Sequence, residues 1–270
     1  MKHIIKLLMS ILIVAISATS LIAGELTIKG STTVLPIAQK CAEAYMAKHP
    51  DIKITISGGG SGNGIKAIVD GTADIGNSSR FIKAKEVKLA QSNDVYPVPF
   101  RIALDCIAPV VHPSNKVANL TMDQLKNIYL GNITNWKEVG GKDAKIVVVS
   151  RDSSSGTFEV WKELVMDKER VMPGALVIPS NGAIVQAVAK TPDAIGYIGL
   201  GYNSKEIKTV KINNVEPTDE NTLNSSFPIT RPMFMFTNNW PKGETMNFIA
   251  FVLSKEGQKL VTEAGSIPIF

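Results

Sequence analysis

The chain has 270 residues and a formal charge of +5. Two lysines and no acids fall in the first 23 residues, so the remainder carries +3 (27 basic against 24 acidic residues), too mild a balance to signal nucleic-acid binding. Two cysteines are too few for a metal site. Residues 1–23 read as a secretory signal: Lys2 and Lys6 precede an apolar run from Leu7 to Ile16, and small residues lead to a cleavage point near Ala23. That run is short for a membrane-spanning helix, which predicts export and release into the periplasm of a double-membraned bacterium. The roughly 247 residues that remain suit one large or two modest domains.

Residues 26–29 form a short predicted strand, followed by Ser31-Thr32-Thr33 and a helix whose first turn accommodates Pro36. A second strand at 52–57 leads through the glycine-rich stretch 58–64, with Ser61 at its centre, into a helical run ending near Val69. A third strand at 74–77 runs into Ser78-Ser79-Arg80, and a charged helix is predicted at 83–90. Strand, polar turn, helix, repeated three times, predicts βα units on a largely parallel sheet. Ligands of such sheets sit beyond the C-terminal strand ends, where all three polar turns fall.

Residues 95–111 read as an extended crossing from one lobe to another. A helix follows at 122–130 with Thr121 as its cap, then a loop carrying Trp136, then a β-branched strand at 145–149. That strand delivers Ser150-Arg151-Asp152-Ser153-Ser154-Ser155-Gly156-Thr157-Phe158. Beyond it, Phe158, Trp161, Leu164 and Val165 recur at helical spacing. A further helix is expected at 181–190, strands at 195–198 and 210–212, a return crossing at 229–236, and closing helices at 245–253 and 258–264. Residues 217–227, rich in Asn, Thr and Ser, look most linker-like.

Arg151 offers a rigid fork of donors for an oxyanion, with Asp152 placed to orient it. Ser155 and Thr157 add hydroxyls, Gly156 permits close backbone approach, and the helix N-terminus favours negative charge. Ser31, Thr32 and Thr33 suit helix capping or ligand contact. Arg80 suits a solvated charge or a second cation. Residues 58–64 fail the P-loop pattern, because Ile65 rather than Lys follows Gly64. Only His49 and His112 follow the signal segment, each beside a proline and far from the serine-rich turns, so a catalytic triad lacks support. Cys41 and Cys106 suit either a disulfide or two separate buried thiols. Asp105, Arg101 and the three tryptophans read as structural.

Taken together, Gly30-Ser-Thr-Thr-Val-Leu-Pro36, Gly58-Gly-Gly-Ser-Gly62, Ala73-Asp-Ile-Gly-Asn-Ser-Ser-Arg80 and Arg151-Asp-Ser-Ser-Ser-Gly-Thr157 resemble the phosphate-binding proteins of bacterial high-affinity phosphate ABC importers. The resemblance implies a type II periplasmic-binding fold: two α/β lobes, two crossing strands and a cleft that closes on its ligand. Lobe I would comprise residues 24–100 and 225–270, and lobe II residues 101–224. The implied phosphate contacts are Thr32, Thr33, Ser61, Ser79, Arg151, Ser155, Gly156 and Thr157, with Ser31 and Arg80 beside them. It also implies a monomer, no cofactor, no catalytic residue and an inner-membrane permease as partner. Ser79 stands where better-known members carry an aspartate that accepts a phosphate proton. This departure leaves sulfate or arsenate as an alternative ligand, and a serine hydrolase as a more distant one.

Overall fold

The structure, a computed structural model, describes residues 24–270; the secretory-signal expectation for residues 1–23 lies outside them. In chain order the elements are β1 (Gly24–Gly30), α1 (Leu35–Lys48), β2 (Ile52–Ser57), α2 (Ser61–Val69), β3 (Ile75–Ser78), α3 (Ala84–Ser92), β4 (Pro97–Val111), β5 (Asn119–Leu120), α4 (Met122–Leu130), β6 (Val147–Arg151), α5 (Gly156–Leu164), β7 (Leu176–Ile178), α6 (Asn181–Lys190), β8 (Ala194–Gly199), β9 (Lys208–Thr209), β10 (Lys211–Ile212), α7 (Asp219–Leu223), β11 (Thr230–Asn238), α8 (Gly243–Val252) and α9 (Lys255–Glu263). Trp136–Val139 is a short 3₁₀ turn.

One sheet runs β2-β1-β3-β11-β4-β8-β6-β7, and β9 also pairs with β4. Pairing is parallel within each lobe, β1 with β2 and β3, and β6 with β7 and β8. It turns antiparallel where β4 and β11 meet each other and where they join β8 and β3. These two long strands are the crossings, and each contributes to both lobes. This is the two-lobed α/β type II fold.

Each lobe buries its own core. Ile28, Ile37, Cys41, Ile75, Ile102 and Phe248 belong to one cluster, which packs α1 and α8 against β1. Cys106, Ile128, Tyr129, Trp136, Trp161, Tyr197 and Ile229 belong to a second, and two smaller clusters flank these. Fully burying such side chains contributes roughly 1.5–3 kcal/mol each. Both cysteines are free thiols, and burial pushes each up to about 12.

The stretch 217–227 differs from its linker-like reading. Thr218 accepts from the Asn221 backbone and caps α7, Thr222 is buried and Phe227 sits in the core. A five-residue helix is too short to display a period, and its anchor is a single apolar residue.

Candidate functional site

Four strand-to-helix turns meet at the junction of the lobes. After β1, Ser31 Oγ accepts from the backbone N–H groups of Thr33 (3.2 Å) and Val34 (3.4 Å), which closes the turn into α1. After β2, Gly59 and Gly60 adopt positive φ (128° and 98°), which delivers Ser61 as the first residue of α2. After β3, the Ser79 N–H donates to Ser61 Oγ at 3.0 Å, tying the second turn to the third. After β6, Ser155 caps α5 by accepting from the Phe158 N–H at 3.2 Å. Ser31, Thr32, Thr33, Ser61, Ser79, Ser155 and Thr157 are all buried.

The lobes touch through these residues. Thr33 Oγ1 and Thr157 Oγ1 lie 3.1 Å apart. Arg151 Nη2 donates to Thr32 Oγ1 at 3.3 Å. The Gly62 N–H donates to the Ser154 carbonyl at 2.9 Å, and Ser154 Oγ returns a bond to the Gly59 carbonyl at 3.0 Å. Gly156 lies against the second and third turns, so close that an added Cβ would stand 2.2 Å from Ser61 Oγ and 2.7 Å from Ser79 Oγ.

An aromatic post holds the Arg151 turn from below. Trp161 stacks on Tyr197 with ring centroids 4.2 Å apart, and Tyr129 packs beside both. Tyr197 Oη meets Ser150 Oγ at 3.0 Å and accepts from the Arg151 N–H at 3.1 Å. Trp161 and Tyr197 lie in the lobe core, so core packing fixes the aim of this turn.

Arg151 is 3% exposed. Its Nε donates to the Ile178 carbonyl (3.0 Å) and its Nη2 to the Pro179 carbonyl (3.0 Å). Its Nη1 is buried and has no hydrogen-bond partner. Burial pulls this guanidinium below its ordinary value, yet an arginine stays charged. Asp152 does not orient it: its Oδ1 accepts the Ser154 N–H at 2.8 Å and bonds Ser154 Oγ. The adjacent acid stabilises the loop instead, because the Ser154 donors lie within two residues. Among the described residues no carboxylate forms an ion pair with Arg151. A buried cation left without a counter-charge is costly, by about 3–5 kcal/mol where one partner of a buried pair has been removed. The site is therefore built for an anion.

Arg80 is committed elsewhere. Its Nη1 and Nη2 reach the two carboxylate oxygens of Glu86 at 2.8 and 2.7 Å, and Nη1 also donates to the Phe81 carbonyl. The second guanidinium among the hydroxyls is Arg231, on β11, which sequence reasoning missed. Its Nη1 donates to Thr157 Oγ1 (3.0 Å) and Ser79 Oγ (3.2 Å), and its Nη2 to Thr33 Oγ1 (3.3 Å). Asp105, its register partner on β4, holds it through bonds of 3.0 Å from Nε and 2.7 Å from Nη2. Asn181, at the start of α6, was also missed; its Nδ2 donates to Thr32 Oγ1 (3.2 Å) and Thr33 Oγ1 (3.0 Å). The available signal for the Arg231–Asp105 pair was one charge in the apolar β11 and one acid, Asp105, in β4.

Comparison with known proteins agrees with this fold. The family model described as the PBP superfamily domain matches residues 15–256. A Bacillus subtilis phosphate-binding protein PstS is 33% identical over 249 residues, covering 92% of this chain and 81% of its own length. Its Borreliella burgdorferi counterpart is 34% identical, covering 90% and 89%. A structure described as a phosphate ABC transporter substrate-binding protein with bound phosphate, from Clostridium perfringens, superposes with a TM-score of 0.86 at 38% identity, covering 91% of this chain and 100% of that one. The ABC-type phosphate transport receptor of Vibrio cholerae gives 0.73 at 36% identity, covering 90% and 99%. With this fold, these turns and these relatives, the chain belongs to the PBP superfamily and, within it, to the phosphate-binding substrate-binding proteins of ABC transporters.

Proposed function

We propose that the chain binds inorganic phosphate in the cleft between its lobes and presents it to an ABC-type permease in the inner membrane. The observation that carries this reading is Arg151: buried, without a carboxylate partner, with a free Nη1, and reaching across to the Thr32 hydroxyl of the facing lobe. A dehydrated phosphate needs many hydrogen bonds to offset lost water. The hydroxyls of Ser31, Thr32, Thr33, Ser61, Ser79, Ser155 and Thr157, the backbone at Gly156 and the start of α5 supply them. Contacts from both lobes make closure and binding one event.

The chain acts as a carrier rather than a catalyst. Among the described residues no histidine hydrogen-bonds a hydroxyl of the cluster. His112 Nδ1 pairs with Ser114 on an exposed turn, and His49 stacks on Tyr45. No helix of the described residues is long and apolar enough to cross a membrane. The relatives' role and the secretory reading of residues 1–23 support a periplasmic carrier.

Calorimetry with phosphate tests the site. Arg151→Gln is expected to weaken binding at least about tenfold, since a hydrogen bond to a charged group contributes roughly 1.5–3 kcal/mol. Unchanged affinity would remove Arg151 from the site.

A further inference from the structure

We propose that Arg231, held by Asp105 and aided by Asn181, is a specificity-determining residue: it fixes the hydroxyls of the cleft as donors, so the site takes small tetrahedral oxyanions whether or not they carry a proton. The proposal rests on the phosphate reading above and names the class of ion that the same site admits.

A hydroxyl offers one hydrogen and two lone pairs. Thr33 Oγ1 receives donors from Arg231 Nη2 and Asn181 Nδ2, which fill both lone pairs. Thr32 Oγ1 likewise receives Arg151 Nη2 and Asn181 Nδ2. Ser31 Oγ receives two backbone N–H groups. These three hydroxyls can only donate, and that of Thr33 points at Thr157 Oγ1, 3.1 Å away across the cleft. The orientation of the Asn181 amide follows from its other end: Oδ1 accepts the Gly199 N–H at 3.2 Å, so the NH₂ group must face the threonines. Arg231 Nη1 donates to Ser79 and Thr157, taking one lone pair of each, and the Thr33 hydroxyl takes the second of Thr157. Ser61 and Ser155 accept one backbone N–H apiece; Ser61 Oγ also meets Ser79 Oγ at 3.3 Å, and Ser155 keeps a second lone pair.

The carboxylates near the cluster are committed. Asp105 Oδ2 takes both bonds from Arg231, and its Oδ1 accepts the Leu200 N–H at 2.9 Å. Glu86 is bound to Arg80. Asp152, the acid beside Arg151, turns Oδ1 onto the Ser154 N–H and hydroxyl of its own loop. Neither Asp105 nor Glu86 offers the cleft an uncommitted oxygen that would demand a ligand proton and repel an ion lacking one. The remaining acceptors are neutral hydroxyls, which rotate to receive a P–OH or to donate to a bare oxygen. Asp105 cancels the charge of Arg231, so this pair adds donors without adding net charge. Arg151 supplies the single uncompensated positive charge.

Calorimetric titration of the wild type with sodium phosphate and sodium sulfate tests this. Sulfate is expected to bind less than about a thousandfold more weakly than phosphate, whereas a site with a committed acceptor rejects the unprotonated analogue by roughly 10⁴-fold or more. The double variant Asp105→Asn/Arg231→Gln removes both charges together and leaves neither buried alone. Freed from Arg231, the hydroxyls of Thr33, Ser79 and Thr157 regain acceptor capacity, so sulfate is expected to lose at least about tenfold more affinity than phosphate. Asn181→Ser, a milder change, is expected to shift the ratio in the same direction. A wild-type preference above the thousandfold mark overturns the proposal. So do equal losses for both ions in the variants, the outcome of a merely structural pair. A wild type that binds neither ion removes the phosphate reading as well, whereas tight phosphate binding with sulfate excluded removes only this inference.

Discussion

Gly156 sets the tightest constraint at the scale of single residues. An added methyl would meet the hydroxyl oxygens of Ser61 and Ser79, which can rotate away, but also Ser61 Cβ at 2.8 Å, which cannot. The lobes would have to separate. Overpacking of this kind costs about 1–3 kcal/mol, and here the cost falls on the closed form alone. Gly156→Ala is therefore expected to weaken phosphate about tenfold or more while leaving the ligand-free melting temperature nearly unchanged. A variant with wild-type affinity in calorimetry would refute the close approach. The hydroxyl-rich turns and Arg151 were legible in the sequence because helix capping and oxyanion binding call on the same short polar residues, clustered locally. Arg231 and Asp105 lie 126 positions apart, and only the β4–β11 register brings them together. Asn181 opens a helix behind the Ser180 cap, where polarity is ordinary, and nothing local ties it to Thr32.

Among the elements, helix starts were the most legible. Residues 122–130 form α4 as expected, with Thr121 accepting the Gln124 N–H and Gln124 answering on the Thr121 N–H. Such signals sit within four residues and need no distant partner. The helix expected at 83–90 starts at Ala84 as α3, and a partner of its first turn lies outside it. Glu86 accepts from Arg80, at the end of β3, and from the Lys83 N–H at 2.9 Å. Burial pushes the Glu86 carboxyl up, but the Arg80 and Lys83 hydrogen bonds and charges outweigh it and leave it below its ordinary value. A carboxyl lowered in the folded state stabilises above its unfolded value, and this contribution is lost as pH falls through the folded one. Glu86→Gln is thus expected to lower stability by about 1–2 kcal/mol at pH 7. The gap to wild type should shrink as pH drops below about 4. Urea unfolding at both pH values checks this; a gap of constant size would show that packing, not charge, links Arg80 to α3.

At the scale of the whole molecule, repeated strand–turn–helix units revealed two α/β lobes, because that alternation is written locally. The order β2-β1-β3-β11-β4-β8-β6-β7 was not legible, since pairing between β3 and β11 joins segments far apart in the chain. That order makes β4 and β11 the shared floor of both lobes, so lobe rotation must be absorbed by these two strands. Closure is then decided by contacts that exist only when the lobes meet. One of them lies apart from the anion cluster: Lys83, before α3, pairs with Glu159 on α5 at 2.5 Å, with side chains 28% and 20% exposed. A partly solvated pair of this kind contributes about 0.5–1 kcal/mol, screened by salt. Because it forms only across the closed cleft, the contribution appears in ligand affinity rather than in the stability of either lobe. Glu159→Gln is expected to weaken phosphate by roughly two- to fivefold at low ionic strength, with the difference fading toward 1 M sodium chloride. Calorimetry at the two salt concentrations separates the outcomes: a loss that persists undiminished at high salt would mean that Glu159 acts through the packing of α5, and the pair would not be a latch.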